Sequence, residues 1–452
     1  MTTSEIRGSS ILLLGYGREN QSVHRFLTTH YPDATIAIAD QSPIAPLFPV
    51  TKVASGPEYV LGIGEYETVV RSPGIPAHLK ELVAYRDSGG HVTTATNIFF
   101  SICPEVTIGV TGTKGKSTTS ALIADMLKQK FSDVRLVGNI GNPMLDALEG
   151  ATAEAIFIVE LSSHQLEDIR YSPHVAVILN IVPEHLDYYQ TFEHYIAAKK
   201  NVIAFQKADD FAVFSLQHDV VQKLAAQSNG HGHRKFSLTK AADAATWIDE
   251  EILIVREGET THAVLPLTEI PLKGNVENIL AATSVGLIFG LLPDQLRQAL
   301  CSFKSLPHRL EFVGEFRGIS FYNDSLATIP EATIHALTAL GDDVATLIAG
   351  GFDRGLDYTA LGEFLAKRKS LQTLILFPDT GEKIWTAILH IDPAPTIQKF
   401  DIASMEEAVG LAYQHTPAGK ICLLSPAAAS FNLFRDYAHR GEEFRKWVNA
   451  LA

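Results

Sequence analysis

The segment from Gly109 to Thr119, "GVTGTKGKSTT", places glycines, lysines and paired hydroxyls at the spacing of a loop that wraps a phosphate. Gly112 and Gly115 would let backbone N–H groups approach an anion closely, with Thr113 and Lys114 carried between them. Lys116 would reach the outer phosphates of a nucleoside triphosphate, and the hydroxyl of Ser117 or Thr118 would bind magnesium. The usual phosphate loop has a glycine five residues before Gly115, but Val110 stands there. The context is nonetheless right: the apolar run "VTIGV" leads in and the helical pattern "SALIADMLKQK" leads out, so the loop sits at a helix N-terminus.

A second stretch, "ILLLGYGREN" followed by "ATIAIAD", reads as a strand, a glycine turn, a helix and a strand ending in an acid. Gly15, Gly17 and Arg18 would face a diphosphate, and Asp40 stands where dinucleotide-binding folds contact a ribose. Asn20 replaces the third glycine of that fingerprint, so the reading is a diphosphate site of a more general kind. In "VVRSPGIP", Ser72, Pro73 and Gly74 follow a short apolar strand, and Pro-Gly is also ordinary turn chemistry.

Elements must position these groups, and the strand-glycine-helix pattern recurs a third time in "DVATLIAGGFDRGLDYTALGEFL". Short β-rich runs alternate with amphipathic stretches throughout, which predicts parallel sheets with crossover helices. The fold expected is α/β in three domains: a Rossmann-like domain over 1–99, a P-loop ATPase-like domain over 100–305 and a second Rossmann-like domain over 306–452.

The 452 residues carry a formal net charge of −14, which argues against a general nucleic-acid or anionic-membrane binder. Cys103, Cys301 and Cys422 are far apart and lack metal or redox spacing. No apolar run spans a bilayer and "MTTSEIRGSS" has no signal core, so a cytoplasmic monomer is expected. The tract "NGHGHRK" at 229–235 offers His231 and His233, two ligands where structural zinc needs four, and reads as an exposed turn.

The form Gly-Thr-x-Gly-Lys-Ser resembles the ATP loop of the Mur ligase superfamily, and an ordered set of further stretches is similar to it. These are "VGNIGNP" with Asn139, "IFIVELSSHQLE" with Glu160, "LNIVPEHLDYYQTFEHYIAAKKNVI" with His185 and Lys199, "LKGNVENILAA" with Asn275, and "LPHRLEF" with Arg309. The resemblance implies ATP-dependent amide formation through an acyl phosphate, with ATP and two magnesium ions as cofactors. It implies Glu160 and His185 as magnesium ligands, Lys199 as a lysine carbamylated by carbon dioxide, and Asn275 and Arg309 as ATP contacts. Taken alone, His185 reads as a structural histidine and Lys199 as an exposed helix lysine beside Lys200.

The first domain, "NDSLAT" at 323–328 and "LLSPAAASFNLFRDYAHRGEEF" at 423–444 resemble the glutamate-adding branch. That implies UDP-N-acetylmuramoyl-L-alanine and glutamate as substrates, with D-glutamate favoured over the L-glutamate-adding branch of the same family. By the same resemblance Asp324 meets ATP, while Thr328, Ser430, Phe431 and Tyr437 surround the amino acid. Two positions depart from the pattern: Leu326 and Arg354 stand where lysines are usual. Arg354 is expected to bind a glutamate carboxylate, because a guanidinium can do so bidentately. A sister ligase, a P-loop hydrolase or kinase, and a non-catalytic nucleotide-binding regulator are the competing readings.

Overall fold

The computed structural model describes residues 2–103, 106–139, 142–230, 232–271, 276–304 and 306–452. Asn275 and His231 lie outside the described residues.

Three sheets carry the chain. The first orders β3 (Lys52–Ser55), β2 (Thr35–Asp40), β1 (Ser10–Leu14), β4 (Thr68–Arg71) and β5 (His91–Thr93), all parallel. The chain leaves β1 toward β2 and β3 and later returns to add β4 and β5 on the other side. The C-terminal ends of β1 and β4 therefore flank the point where strand order reverses, the position that binds ligands in open α/β sheets. Gly15–Arg18 and Ser72–Gly74 follow those two strands.

The second sheet runs β14 (Thr260–Pro266), β13 (Ile252–Glu257), β12 (Ala244–Asp249), β11 (Gly232–Ser237), β10 (Phe211–Ser215), β9 (Val175–Ile178), β6 (Val106–Thr111), β8 (Ile156–Glu160) and β7 (Val134–Gly138). It is parallel from β7 to β12, and β13 and β14 add an antiparallel edge. The interior strands β6, β8 and β9 are apolar and largely buried on both faces, as parallel strands covered by helices must be. The tract at 229–235, expected as an exposed turn, runs into β11, where His233 pairs with Ala212 and its ring meets Phe214. Parallel pairing with β10 outweighs the turn propensity of its glycines.

The third sheet orders β15 (Glu311–Phe316), β16 (Ile319–Asn323), β20 (Ile421–Leu424), β17 (Val344–Gly351), β18 (Thr373–Asp379) and β19 (Gln398–Asp401), parallel except for β15. Late insertion of β20 between β16 and β17 brings the ends of all three together, with Asp324, Ser425 and Gly351 at their tips.

The sheets fall into two compact units, the first holding the first two sheets in residues up to Glu269 and from Val276 to Ser302, the second running from Phe303 to Ala452 together with Ile270 and Pro271. In the first unit one apolar core joins both sheets: Val23, Phe26 and Leu27 of helix Arg18–His30 and Ile98 and Phe99 of helix Ala95–Ile102 cluster with Phe157 and Val159 of β8. Two of the helices that present candidate residues start on side-chain caps. Thr191 accepts from the His194 N–H and Asp436 from the His439 N–H, fixing the first turns of Phe192–Ala204 and Tyr437–Ala450.

Candidate active site

The loop after β6 leads into helix Lys116–Leu127, as the spacing predicts. Gly115 has φ +87°, and a Cβ there would lie 2.2 Å from Asn278 Oδ1, so only glycine fits the turn. Side chains from the neighbouring strand end hold the loop. Asn180 accepts from the Lys114 N–H through Oδ1 at 2.9 Å and donates to the Lys114 carbonyl at 3.1 Å. The Thr113 hydroxyl lies 3.1 Å from the Tyr195 hydroxyl, and Lys114 pairs with Glu184 at 2.6 Å. Lys116 Nζ donates to the Gly112 and Thr113 carbonyls, both at 3.0 Å. Ser117 is buried and Thr118 half-buried at the helix start.

Lys199 is not the exposed helix lysine that its neighbour Lys200 suggests: it is 1% exposed and donates to the Gly112 carbonyl at 2.9 Å. Burial, reinforced by the charge of Lys116, holds its amine well below the usual lysine range, which favours the neutral, nucleophilic form. Glu160 is also buried at the end of β8. Its Oε1 accepts from Asn139 Nδ2 at 2.9 Å, and its Oε2 has no partner among the described residues. His185 has a left-handed backbone (φ +55°), and its ring lies 5.2 Å from that of His164 and 6.3 Å from that of Tyr195. Burial lowers its proton affinity, and burial with the neighbouring His185 pushes His164 down to about 4. Among the described residues no three His, Cys, Asp or Glu groups converge as a closed metal cage. The open carboxylate oxygen of Glu160 and the Ser117 hydroxyl still suit magnesium, which takes few protein oxygens and completes its shell with water and phosphate.

At the first sheet, Gly15 (φ +78°) turns so that its N–H donates to the Ala39 carbonyl, and the Tyr16 N–H donates to Asp40 Oδ2 at 2.7 Å. Asp40 therefore shapes the glycine turn, and its Oδ1 caps the Ser42 N–H. Asn20, seen in the sequence as a missing glycine, is a clamp: its Nδ2 donates to the Leu14, Gly15 and Val70 carbonyls and ties β1 to β4. Sequence reasoning also missed Arg71. It is fully buried at the end of β4, pairs with Asp168 at 2.6 Å, and donates to the Ser72, Ile75 and His164 carbonyls, which sets the Ser72–Gly74 turn against the second sheet. Glu19 accepts from Gln165 Nε2 at 2.6 Å; its other oxygen is buried without a partner among the described residues, and burial pushes its carboxyl up to about 7.

In the second unit Asp324 is buried, accepting from the Leu310 N–H and from the Ser425 hydroxyl at 2.8 Å. Burial pushes its carboxyl up to about 7, against the pull of the Arg309 charge. Arg354 donates to the Thr328 carbonyl at 3.3 Å, bringing together two residues expected around the amino acid. Ser430 is buried, whereas Phe431 is 63% exposed and stacks edge-on with Phe352; Tyr437 is exposed beside His308.

Loop, sheets and clamps of this kind define a class. Residues 110–286 match the Mur ligase middle domain. The whole chain has the fold of a MurF ligase from Thermotoga maritima solved in complex with ADP (18% identity, TM-score 0.57, covering 100% of this chain and 97% of that one). It likewise has the fold of the UDP-N-acetylmuramate-alanine ligase MurC from Thermotoga maritima (14% identity, TM-score 0.60, 98% and 100% covered). Sequence relatives are more specific. A UDP-N-acetylmuramoylalanine–D-glutamate ligase of Acetivibrio thermocellus is 36% identical over 410 residues, 88% of this chain and 86% of the relative. One of Acidobacterium capsulatum is 33% identical over 457 residues, covering 99% and 97%. The chain belongs to the Mur ligase family, in the branch of the UDP-N-acetylmuramoylalanine–D-glutamate ligases.

Proposed function

We propose that the protein is the ATP-dependent ligase that joins D-glutamate to UDP-N-acetylmuramoyl-L-alanine in peptidoglycan precursor synthesis. The observation that carries this reading is the phosphate loop, with Lys116 and the buried Lys199 both bonded to the Gly112 carbonyl, in a chain whose full-length relatives bear that name.

The alanine carboxylate of the nucleotide substrate attacks the γ-phosphorus of ATP, forming an acyl phosphate and releasing ADP. The neutral amine of glutamate then attacks the acyl carbon, and phosphate leaves from the tetrahedral intermediate as the amide forms. Two anions must meet in the first step, so the loop has to offset their repulsion. Lys116 does so by swinging from its carbonyl partners to the phosphate oxygens, and the N–H groups of the loop bind the rest. Ser117, Glu160 and His185 would hold magnesium, which would supply further charge neutralisation on the phosphates. The neutral Lys199 amine would add to carbon dioxide and lose a proton, giving an anionic carbamate that would complete the metal shell. Gly15, Gly17, Arg18, Asp40 and the Ser72–Gly74 turn hold the UDP portion, Asn139 the muramoyl portion, and Asp324 and Arg309 the ATP. Thr328, Arg354, Ser430, Phe431 and Tyr437 hold glutamate. The reaction is cytoplasmic and the working form a monomer.

The test is phosphate release from ATP by purified protein with UDP-N-acetylmuramoyl-L-alanine and D-glutamate, L-glutamate or no amino acid. Release with D-glutamate alone is expected. Release with L-glutamate alone would move the protein to the L-glutamate-adding reading, which the Leu326 and Arg354 departures favour. Release with neither overturns the assignment.

A further inference from the structure

Arg440 is among the largest fully buried side chains of the protein, 1% exposed, and it sits in the first turns of helix Tyr437–Ala450. Its fork donates Nε to the Ser325 hydroxyl at 3.0 Å, Nη2 to the Ser325 and Ala428 carbonyls at 2.9 and 3.0 Å, and Nη1 to the Ala429 carbonyl at 3.2 Å. The Ala429 carbonyl also accepts from the Phe352 N–H at 2.9 Å, and the Ser325 hydroxyl donates to the Tyr437 carbonyl at 2.7 Å. Gly351 completes the packing: a Cβ there would lie 2.4 Å from the Ala429 oxygen and 3.2 Å from Arg440 Nη1. Three loops thus close on one guanidinium, those running from Ser325 to Thr328, from Gly351 to Arg354 and from Ala427 to Phe431.

Every acceptor is a neutral oxygen, and no carboxylate pairs with Arg440 among the described residues. Carbonyl dipoles satisfy the N–H groups but leave the net charge in place, and an uncompensated buried cation is costly. No neutral side chain offers a donor fork of this reach, so the group that fastens the loops brings with it a charge that nothing beside it among the described residues neutralises. A fastener that also raises the local potential suits a pocket that receives an anion.

We propose that Arg440 is a positioning and selectivity residue for the incoming amino acid: it sets the loops that carry Thr328, Arg354 and Ser430, and its charge favours a substrate with a side-chain carboxylate. This rests on the assignment of glutamate to these loops.

The experiment measures phosphate release by full-length wild type, Arg440→Met, Arg440→Lys and Ser325→Ala, varying glutamate, glutamine, ATP and the UDP substrate in turn. Arg440→Met is expected to raise the glutamate KM about 10- to 100-fold, the range for losing charged hydrogen bonds, with ATP and UDP-substrate KM within about twofold. The preference for glutamate over glutamine, as a ratio of kcat/KM, should narrow. Arg440→Lys restores charge without the fork, so it should recover the preference while the KM stays high. Ser325→Ala removes one acceptor and should raise the glutamate KM several-fold; it decides the matter if the methionine variant is insoluble. A glutamate KM unmoved in an active wild-type background, or equal rises for all three substrates, overturns the proposal alone. A wild type silent with glutamate overturns the functional assignment beneath it.

Discussion

Replacing Asp324 by asparagine should make the second unit more stable at neutral pH and less stable in acid. Asp324 is buried, and its carboxyl is pushed from 3.8 up to about 7. A carboxyl whose folded value lies above its unfolded one holds protons that the unfolded chain has lost, so stability falls as pH rises between the two. A rise from 3.8 to about 7 corresponds to about 4 kcal/mol lost between pH 4 and pH 7.5. Asparagine carries no such burden, but it replaces one acceptor for the Leu310 N–H or the Ser425 hydroxyl with a donor, costing about 1 kcal/mol. Ser425 has Thr333 as an alternative partner at 3.0 Å, which limits the loss. The variant should therefore start about 1 kcal/mol below wild type at pH 4 and finish about 3 kcal/mol above it at pH 7.5. Urea titrations of the full chain, read by pulsed hydrogen exchange in peptides covering Ile319–Asn323, would follow the unit directly. A difference that stays constant across the pH range, or a variant weaker than wild type at pH 7.5, refutes the reasoning.

Gly115→Ala forces a left-handed backbone on a residue with a Cβ and drives that carbon into Asn278, so a loss of about 1–3 kcal/mol and at least a tenfold rise in ATP KM are expected from thermal unfolding and ATP titration. If UDP binds at the Gly15–Arg18 turn as proposed, its KM should rise as pH passes about 7, because Glu19 at the adjoining helix start then gains a negative charge; in Glu19→Gln the profile should be flat, and an equal rise in wild type and Glu19→Gln would exclude Glu19. Arg71→Met breaks a buried ion pair and three carbonyl contacts, so the first unit should lose about 3 kcal/mol and the UDP-substrate KM should rise while ATP KM holds.

What the sequence made legible was local. The glycine, lysine and hydroxyl pattern after "VTIGV" needs only a strand and a helix start to have meaning, and both formed where the apolar pattern put them. Asn20 was illegible because its role is tertiary: three carbonyls from two strands become neighbours only once the sheet exists. Lys199 and Lys200 are adjacent and alike in sequence, and only the rotation of their helix against the loop buries one and exposes the other. Arg71 and Arg440 look like surface arginines, since composition does not reveal that part of what each meets, His164 and Asp168 for one and Ser325 for the other, lies 93, 97 and 115 residues away in the chain. The tract at 229–235 misled for the same reason, its glycines being overruled by a strand partner.

The Gly112 carbonyl serves two lysine nitrogens at once, Lys116 at 3.0 Å and Lys199 at 2.9 Å. The loop thus supplies acceptors from its own backbone: Lys116, to which the proposed function gives the phosphate, bonds two of the loop's carbonyls. On that assignment, a ligand or inhibitor aimed at this loop must replace those carbonyls as acceptors as well as fill the space.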